Sequence, residues 1–161
     1  MNRATTATSI PPRSRGLLTA LALFTGLALA GQAGAAEKSL YERLGGLPAI
    51  AVVVSDFLDV MVPDPVLNRN PAIDAAREKV PKPYLKYQVT AQVCEATGGP
   101  CTYRGQTMKA SHDYLNITNA EWQRMLELLG GVVEKHQVPE RETRELMEII
   151  QSLKDDIVSA G

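Results

Sequence analysis

Wherever apolar side chains form a pattern along this chain they recur at three- and four-residue steps. No stretch alternates convincingly with the period of two that marks a half-buried strand. From Pro48 to Val62, the residues Ile50, Val53, Val54, Phe57, Leu58 and Met61 share one helical face, with Gly45-Gly46 before it and Pro63 after it as punctuation. The stretch from Val62 to Pro83 holds five prolines and two asparagines, and it predicts a long loop with at most one short helical turn near Ile73 to Lys79. Tyr84 to Ala96 is helical again, carrying Leu85, Val89, Gln92 and Val93 on one side, and Thr97-Gly98-Gly99-Pro100 stops it. A short segment from Gln106 to Tyr114 places Met108 and His112 four residues apart, on one face of a helix. Thr118 with Glu121 three positions on is a capping box for a helix to about Lys135, whose stripe is Trp122, Met125, Leu126, Leu129, Val132 and Val133. Val138-Pro139-Glu140 separates it from a last helix, which runs to about Val158 and buries Leu146, Ile149, Ile150, Leu153 and Ile157. The pattern is that of an all-α protein without internal repeats.

The N-terminus changes the domain count. Arg3, Arg13 and Arg15 precede an apolar run from Gly16 to Ala30 and a small-residue stretch to Ala36, the layout of a secretory signal peptide. The run is shorter than the ~20 residues of a membrane-spanning helix. The expected organisation is therefore a signal peptide over 1–36 and one domain over 37–161, exported to the periplasm or secreted. Three of the 17 basic residues and none of the 18 acidic ones lie in the signal, which leaves 14 against 18 and a net charge of −4. A basic surface for nucleic acid is not expected. Cys94 and Cys101 flank a Gly-Gly-Pro turn; export permits a disulfide between them, and two buried free thiols are the other reading. Their spacing fits neither a zinc site nor a covalent haem-attachment motif.

Candidate chemistry is sparse. His136 follows an apolar stripe among Glu134, Lys135 and Gln137 and reads as a solvated residue at a helix C-terminus. His112 lies in a short helix behind a glycine turn, beside Met108 and ahead of Leu115 and Ile117, where a neutral imidazole can coordinate a metal, most naturally haem iron. No serine sits in a nucleophile elbow, no glycine-rich loop cradles phosphate, and the acidic residues alternate with Lys and Arg as on a solvated face.

Several elements occur in order: Leu40-Tyr41-Glu42-Arg43-Leu44-Gly45-Gly46, Gly98-Gly99-Pro100, Tyr103-Arg104-Gly105, Met108, His112 and Ile117-Thr118. Together they resemble the truncated haemoglobins of group I over nearly all of the chain from Leu40 to about Val158. The resemblance implies a two-over-two helical sandwich with haem between the helices and His112 as proximal ligand to the iron. It further implies that Leu85 and Val89 face bound ligand, that Gln88 lies near a haem propionate, and that Phe57 and Leu58 cover the distal side. Ile117 and Trp122 would line the proximal wall, and Met108 and Tyr103 would also touch the cofactor.

Two departures from that family bear on function. Leu58 and Val89 stand where many group I members carry a distal tyrosine and glutamine, which leaves Tyr84, Tyr87, Gln88 or Gln92 as substitute donors. The aromatic pair that wedges the haem is replaced by Asn68-Arg69-Asn70-Pro71 in a longer loop, and no cofactor role is assigned between Pro63 and Pro83. The implied function is reversible binding of a diatomic gas (oxygen, nitric oxide or carbon monoxide), with an unidentified reductase to keep the iron reduced. A pocket without a clear distal acid-base residue argues against an efficient peroxidase. Two alternatives stay open. One is a six-coordinate haem carrier or electron-transfer protein, with Met61, Lys86 or a tyrosine as second ligand. The other is a haem-less globin-like binding module.

Overall fold

Three of the longer helices, Gly46–Met61, Asn119–Lys135 and Glu140–Gln151, form where the sequence supplies both an apolar stripe and a local start or stop. The computed structural model describes residues 37–160, so the expected signal peptide over 1–36 lies outside the described residues. Helix α1 (Leu40–Arg43) opens on a capping box between Ser39 and Glu42. Helix α2 (Gly46–Met61) follows Gly45, whose φ of 92° is open to glycine and costly for other residues. Helix α4 (Lys82–Ala96) and helix α6 (Asn119–Lys135) both pack against α2, and α1 bridges α2 and helix α7 (Glu140–Gln151). At α6 both bonds of the expected capping box form, Glu121 N–H to Thr118 Oγ1 at 3.2 Å and Thr118 N–H to Glu121 Oε2 at 2.7 Å. Ile50, Val54 and Leu58 form one buried cluster and Leu129, Val133 and Leu146 another, with Phe57 and Val93 touching both. This is the all-α architecture that the periodicity predicts.

Three expectations are corrected. The stretch from Val62 to Pro83 is more ordered than a loop with one short turn: a 3-10 turn (Leu67–Arg69) leads into a nine-residue helix, α3 (Pro71–Lys79). Asn70 caps it, its Oδ1 accepting from Ala72 and Ile73 N–H, and Pro71 occupies the first turn, where no amide proton is needed. The last helix does not continue to Val158. It ends at Gln151, and a short helix α8 (Lys154–Ile157) packs on helix α5 (Met108–His112). Strands are present as well, β1 (Ile117–Thr118) pairing in parallel with β2 (Val158–Ala160).

The two cysteines are joined, with Cα atoms 5.8 Å apart, so among the readings left open the disulfide holds. Cys94 is fully buried at the end of α4, and the bond fastens that end to the segment leading into α5. A side chain at Gly99 would put its Cβ 2.5 Å from the Tyr41 ring and 2.7 Å from the Cys94 carbonyl. The turn can therefore be this tight only with glycine.

Candidate functional site

Between α2, α4, α5, α6 and α7 lies a cavity of about 750 Å³ with a predominantly apolar lining. It explains a pattern in the burial. Ile149 and Ile150 on α7, expected to be buried, are only partly so because they face this space, as do the partly buried Leu85 and Val89 on α4, expected to face a ligand. All ten residues singled out for cofactor contact line it: Phe57 and Leu58 from α2, Leu85, Gln88 and Val89 from α4, Tyr103 from the loop, Met108 and His112 from α5, and Ile117 and Trp122 beyond it.

Local folding fixes the imidazole. Thr107 caps α5 by accepting from Ala110 N–H at 3.2 Å, and the segment turns away at Asn116, whose φ is 50°. His112 Nδ1 lies 2.8 Å from the Met108 carbonyl. A carbonyl only accepts, so Nδ1 carries the proton and Nε2 keeps a free lone pair. Burial pushes the His112 pKa down, partly opposed by that hydrogen bond, which keeps the ring neutral near pH 7. Among the described residues no group of three or more His, Cys, Asp and Glu side chains could hold a metal.

The polar lining is concentrated in a few side chains. Gln88 donates to the Tyr84 hydroxyl at 2.7 Å, and Tyr84 is half exposed. Tyr103 donates to the Gln106 carbonyl at 2.8 Å, and burial with Tyr84 nearby pushes its phenol up. Tyr87 is exposed and off the cavity wall, whereas Gln92 is on it with no side-chain hydrogen bond among the described residues. Trp122 is 1% exposed, and its indole N–H has no partner among the described residues. Lys86 is turned to Ser55 and Asp59, at 2.8 and 2.7 Å, and is not on the cavity wall.

Two sequence expectations fail here. His136 is not simply solvated: its side chain is partly buried, and Nε2 lies 2.8 Å from Asp56 Oδ2, tying the end of α6 to α2. The segment between Pro63 and Pro83, given no cofactor role, supplies Leu67, Ile73, Ala76, Arg77 and Val80 to the wall. The Asn-Pro start signal at Asn70-Pro71 could have revealed the helix that carries Ile73, Ala76 and Arg77 and ends just before Val80.

A profile of the bacterial-like globin family matches residues 39–159. The chain belongs to the bacterial-like globins. Among solved structures, this globin is similar to the truncated hemoglobin of Tetrahymena pyriformis in its Fe(III) form, with 20% identity, a TM-score of 0.63, and 76% of this chain and 99% of that one covered. It is also similar to the 2/2 hemoglobin of Synechococcus sp. PCC 7002, in the cyanomet state with covalently attached heme. There the identity is 24% and the TM-score 0.66, with 75% of this chain and 98% of that one covered. No curated protein matches the globin. At these identities the structural likeness shows the fold, and the chemistry has to be argued from this chain's own residues.

Proposed function

We propose that this globin holds haem between α4 and α5 with His112 as the proximal ligand, and reversibly binds oxygen or another diatomic gas. The observation that carries the reading is His112 itself, with Nδ1 anchored to the Met108 carbonyl and Nε2 available on the wall of an apolar cavity. Such an anchor fixes tautomer and ring orientation, as it does for metal-binding histidines generally.

The residues present fit the group. The space of about 750 Å³ is lined mainly by apolar side chains, whose exposure to water is unfavourable until an apolar occupant covers them. A large flat apolar occupant with a polar edge suits such a cavity, whose lining is apolar within and carries Tyr84, Gln88 and Tyr114 toward solvent. Bound haem supplies an iron with an open position for a small ligand. The chain does the rest: Met108, Ile117 and Trp122 pack the His112 side, while Phe57, Leu58, Leu85 and Val89 exclude water from the other. Gln92 is the uncommitted donor on α4. The outward pairing of Lys86 removes one candidate for a second axial ligand, while Met61 stays on the cavity wall as another.

We further propose export to the periplasm or the exterior. The basic-apolar-small layout of residues 1–36 and the Cys94–Cys101 bond support it, because disulfides persist in oxidising compartments. Fractionation of cells producing the full chain, with N-terminal sequencing, tests this. The haem assignment is tested by absorption spectra of oxidised, reduced and carbon-monoxide-treated protein, for wild type and His112→Ala. A five-coordinate reduced spectrum that shifts with carbon monoxide is expected, and it should be lost with the haem in the variant while helical circular dichroism persists. Unaltered haem content in His112→Ala would refute the ligand assignment.

A further inference from the structure

Ile73, Ala76 and Arg77 on α3 face the cavity, Ala76 and Arg77 lying three and four residues after Ile73 and hence on its side of the helix, and Val80 joins them just past the helix end. Three are apolar, and the fourth brings a guanidinium to the wall. Besides His112, only Arg77 and Glu121 among the lining residues are ionisable to a full charge near neutral pH, and Glu121 is occupied by Thr118 in capping α6. Asp74 accepts from Arg77 Nε at 2.8 Å, which holds the stem and leaves Nη1 and Nη2 without a partner among the described residues. The side chain is 37% exposed, so it stands where the cavity meets water, as do Tyr84 and Tyr114 on the same lining.

The position of α3 is itself fixed relative to His112. Asn70 uses Oδ1 to cap α3 and Nδ2 to donate to the Leu115 carbonyl at 2.9 Å, so one side chain ties the start of α3 to the turn that follows α5. A planar fork of N–H donors matches a carboxylate, and charge-assisted bonds of this kind are stronger than neutral ones. Haem carries two carboxylates on one edge.

We propose that Arg77 is the carboxylate anchor of this globin, its free Nη atoms taking a haem propionate at the cavity mouth. The assignment rests on the haem reading above and deepens it.

The test follows transfer of haemin, and separately of haemin dimethyl ester, from the purified protein to excess apomyoglobin. It compares wild type, Arg77→Met and Arg77→Lys. Arg77→Met should release haemin about five- to tenfold faster than wild type and Arg77→Lys at an intermediate rate, whereas the ester, which lacks the charges, should leave all three at one rate. Added salt should shrink the difference for haemin. Equal haemin rates in wild type and Arg77→Met would overturn the proposal. So would equal acceleration for haemin and ester, which would make Arg77 a support for α3. A wild-type chain that takes up neither compound refutes the haem reading and takes this proposal with it, an outcome distinct from the other two.

Discussion

Reduction of the Cys94–Cys101 bond should lower the stability of the domain by an amount that follows from its loop length. The cysteines are seven positions apart, so the bond closes a loop of about eight residues in the unfolded chain. The chain-entropy relation then gives a loss of about 8 cal/mol/K to the unfolded state when the bond is present, or about 2.5 kcal/mol at 25 °C. For a domain of this size 1 kcal/mol moves the midpoint by about 3–5 °C, so the reduced protein should melt about 8–12 °C lower. Comparing oxidised wild type with wild type refolded under reductant removes no side chain, which matters because Cys94 is fully buried and truncating it would add a cavity cost. Haem saturation must match in the two samples, since a bound ligand raises the midpoint by mass action. Hydrogen exchange should also quicken over 102–107, the segment that the bond holds to the end of α4. A shift under about 2 °C with reduction confirmed by thiol titration would refute the reasoning, because the constraint would then be absent from the unfolded ensemble.

Two further outcomes follow from single side chains. Asp64 is nearly buried, accepts from Val66 and Leu67 N–H at 3.0 Å, and pairs with Arg124 at 2.8 Å. The Arg124 side chain and those amides hold its pKa below the ordinary value of 3.8. A group lowered on folding adds stability that is present above its unfolded pKa and lost as pH falls through its folded value. Asp64→Asn should therefore cost about 2 kcal/mol at pH 7 and a shrinking margin below about pH 4, as read by urea unfolding. A margin independent of pH would show that the charge contributes nothing. Gln92→Leu removes the uncommitted donor on the α4 wall and should raise the oxygen off-rate about three- to tenfold in flash photolysis. An unchanged rate would take Gln92 out of the distal site.

Helices α2, α6 and α7 are legible because each buries apolar residues at helical spacing and begins next to a local signal, Gly45, Thr118 and Pro139. Thr118 and Glu121 announce α6 by residue type alone, and both predicted bonds form. What stayed hidden depends on contacts remote in sequence. Ser152 and Leu153 are ordinary helix residues, and the break there lets α8 reach α5 and β2 reach β1, an arrangement that no local signal marks. Two- and three-residue strands are too short for alternation to show. His136 looked solvated because Asp56, its partner, lies 80 positions earlier on another helix.

For the site, what could be read divides along the same line. His112 stands out as a candidate because its type is rare in the chain, its surroundings are local in sequence and the ordered motifs resemble a known family; its anchoring carbonyl belongs to Met108, one helical turn back. Arg77 was missed because its setting depends on α3 existing. Five prolines in 22 positions made the segment read as loop, although a proline in the first turn of a helix starts it instead of breaking it, and Asn70 before Pro71 is a strong cap. Once α3 is a helix, Ile73, Ala76 and Arg77 share one side of it with Val80 just past its end, and the cation falls among apolar neighbours on a wall that is otherwise almost uncharged among the described residues. A lone charge in such a stripe is costly unless it meets solvent or a partner. Arg77 has water and Asp74 on one side, and its two nitrogens without a partner among the described residues are what suits it to the carboxylate role proposed for it.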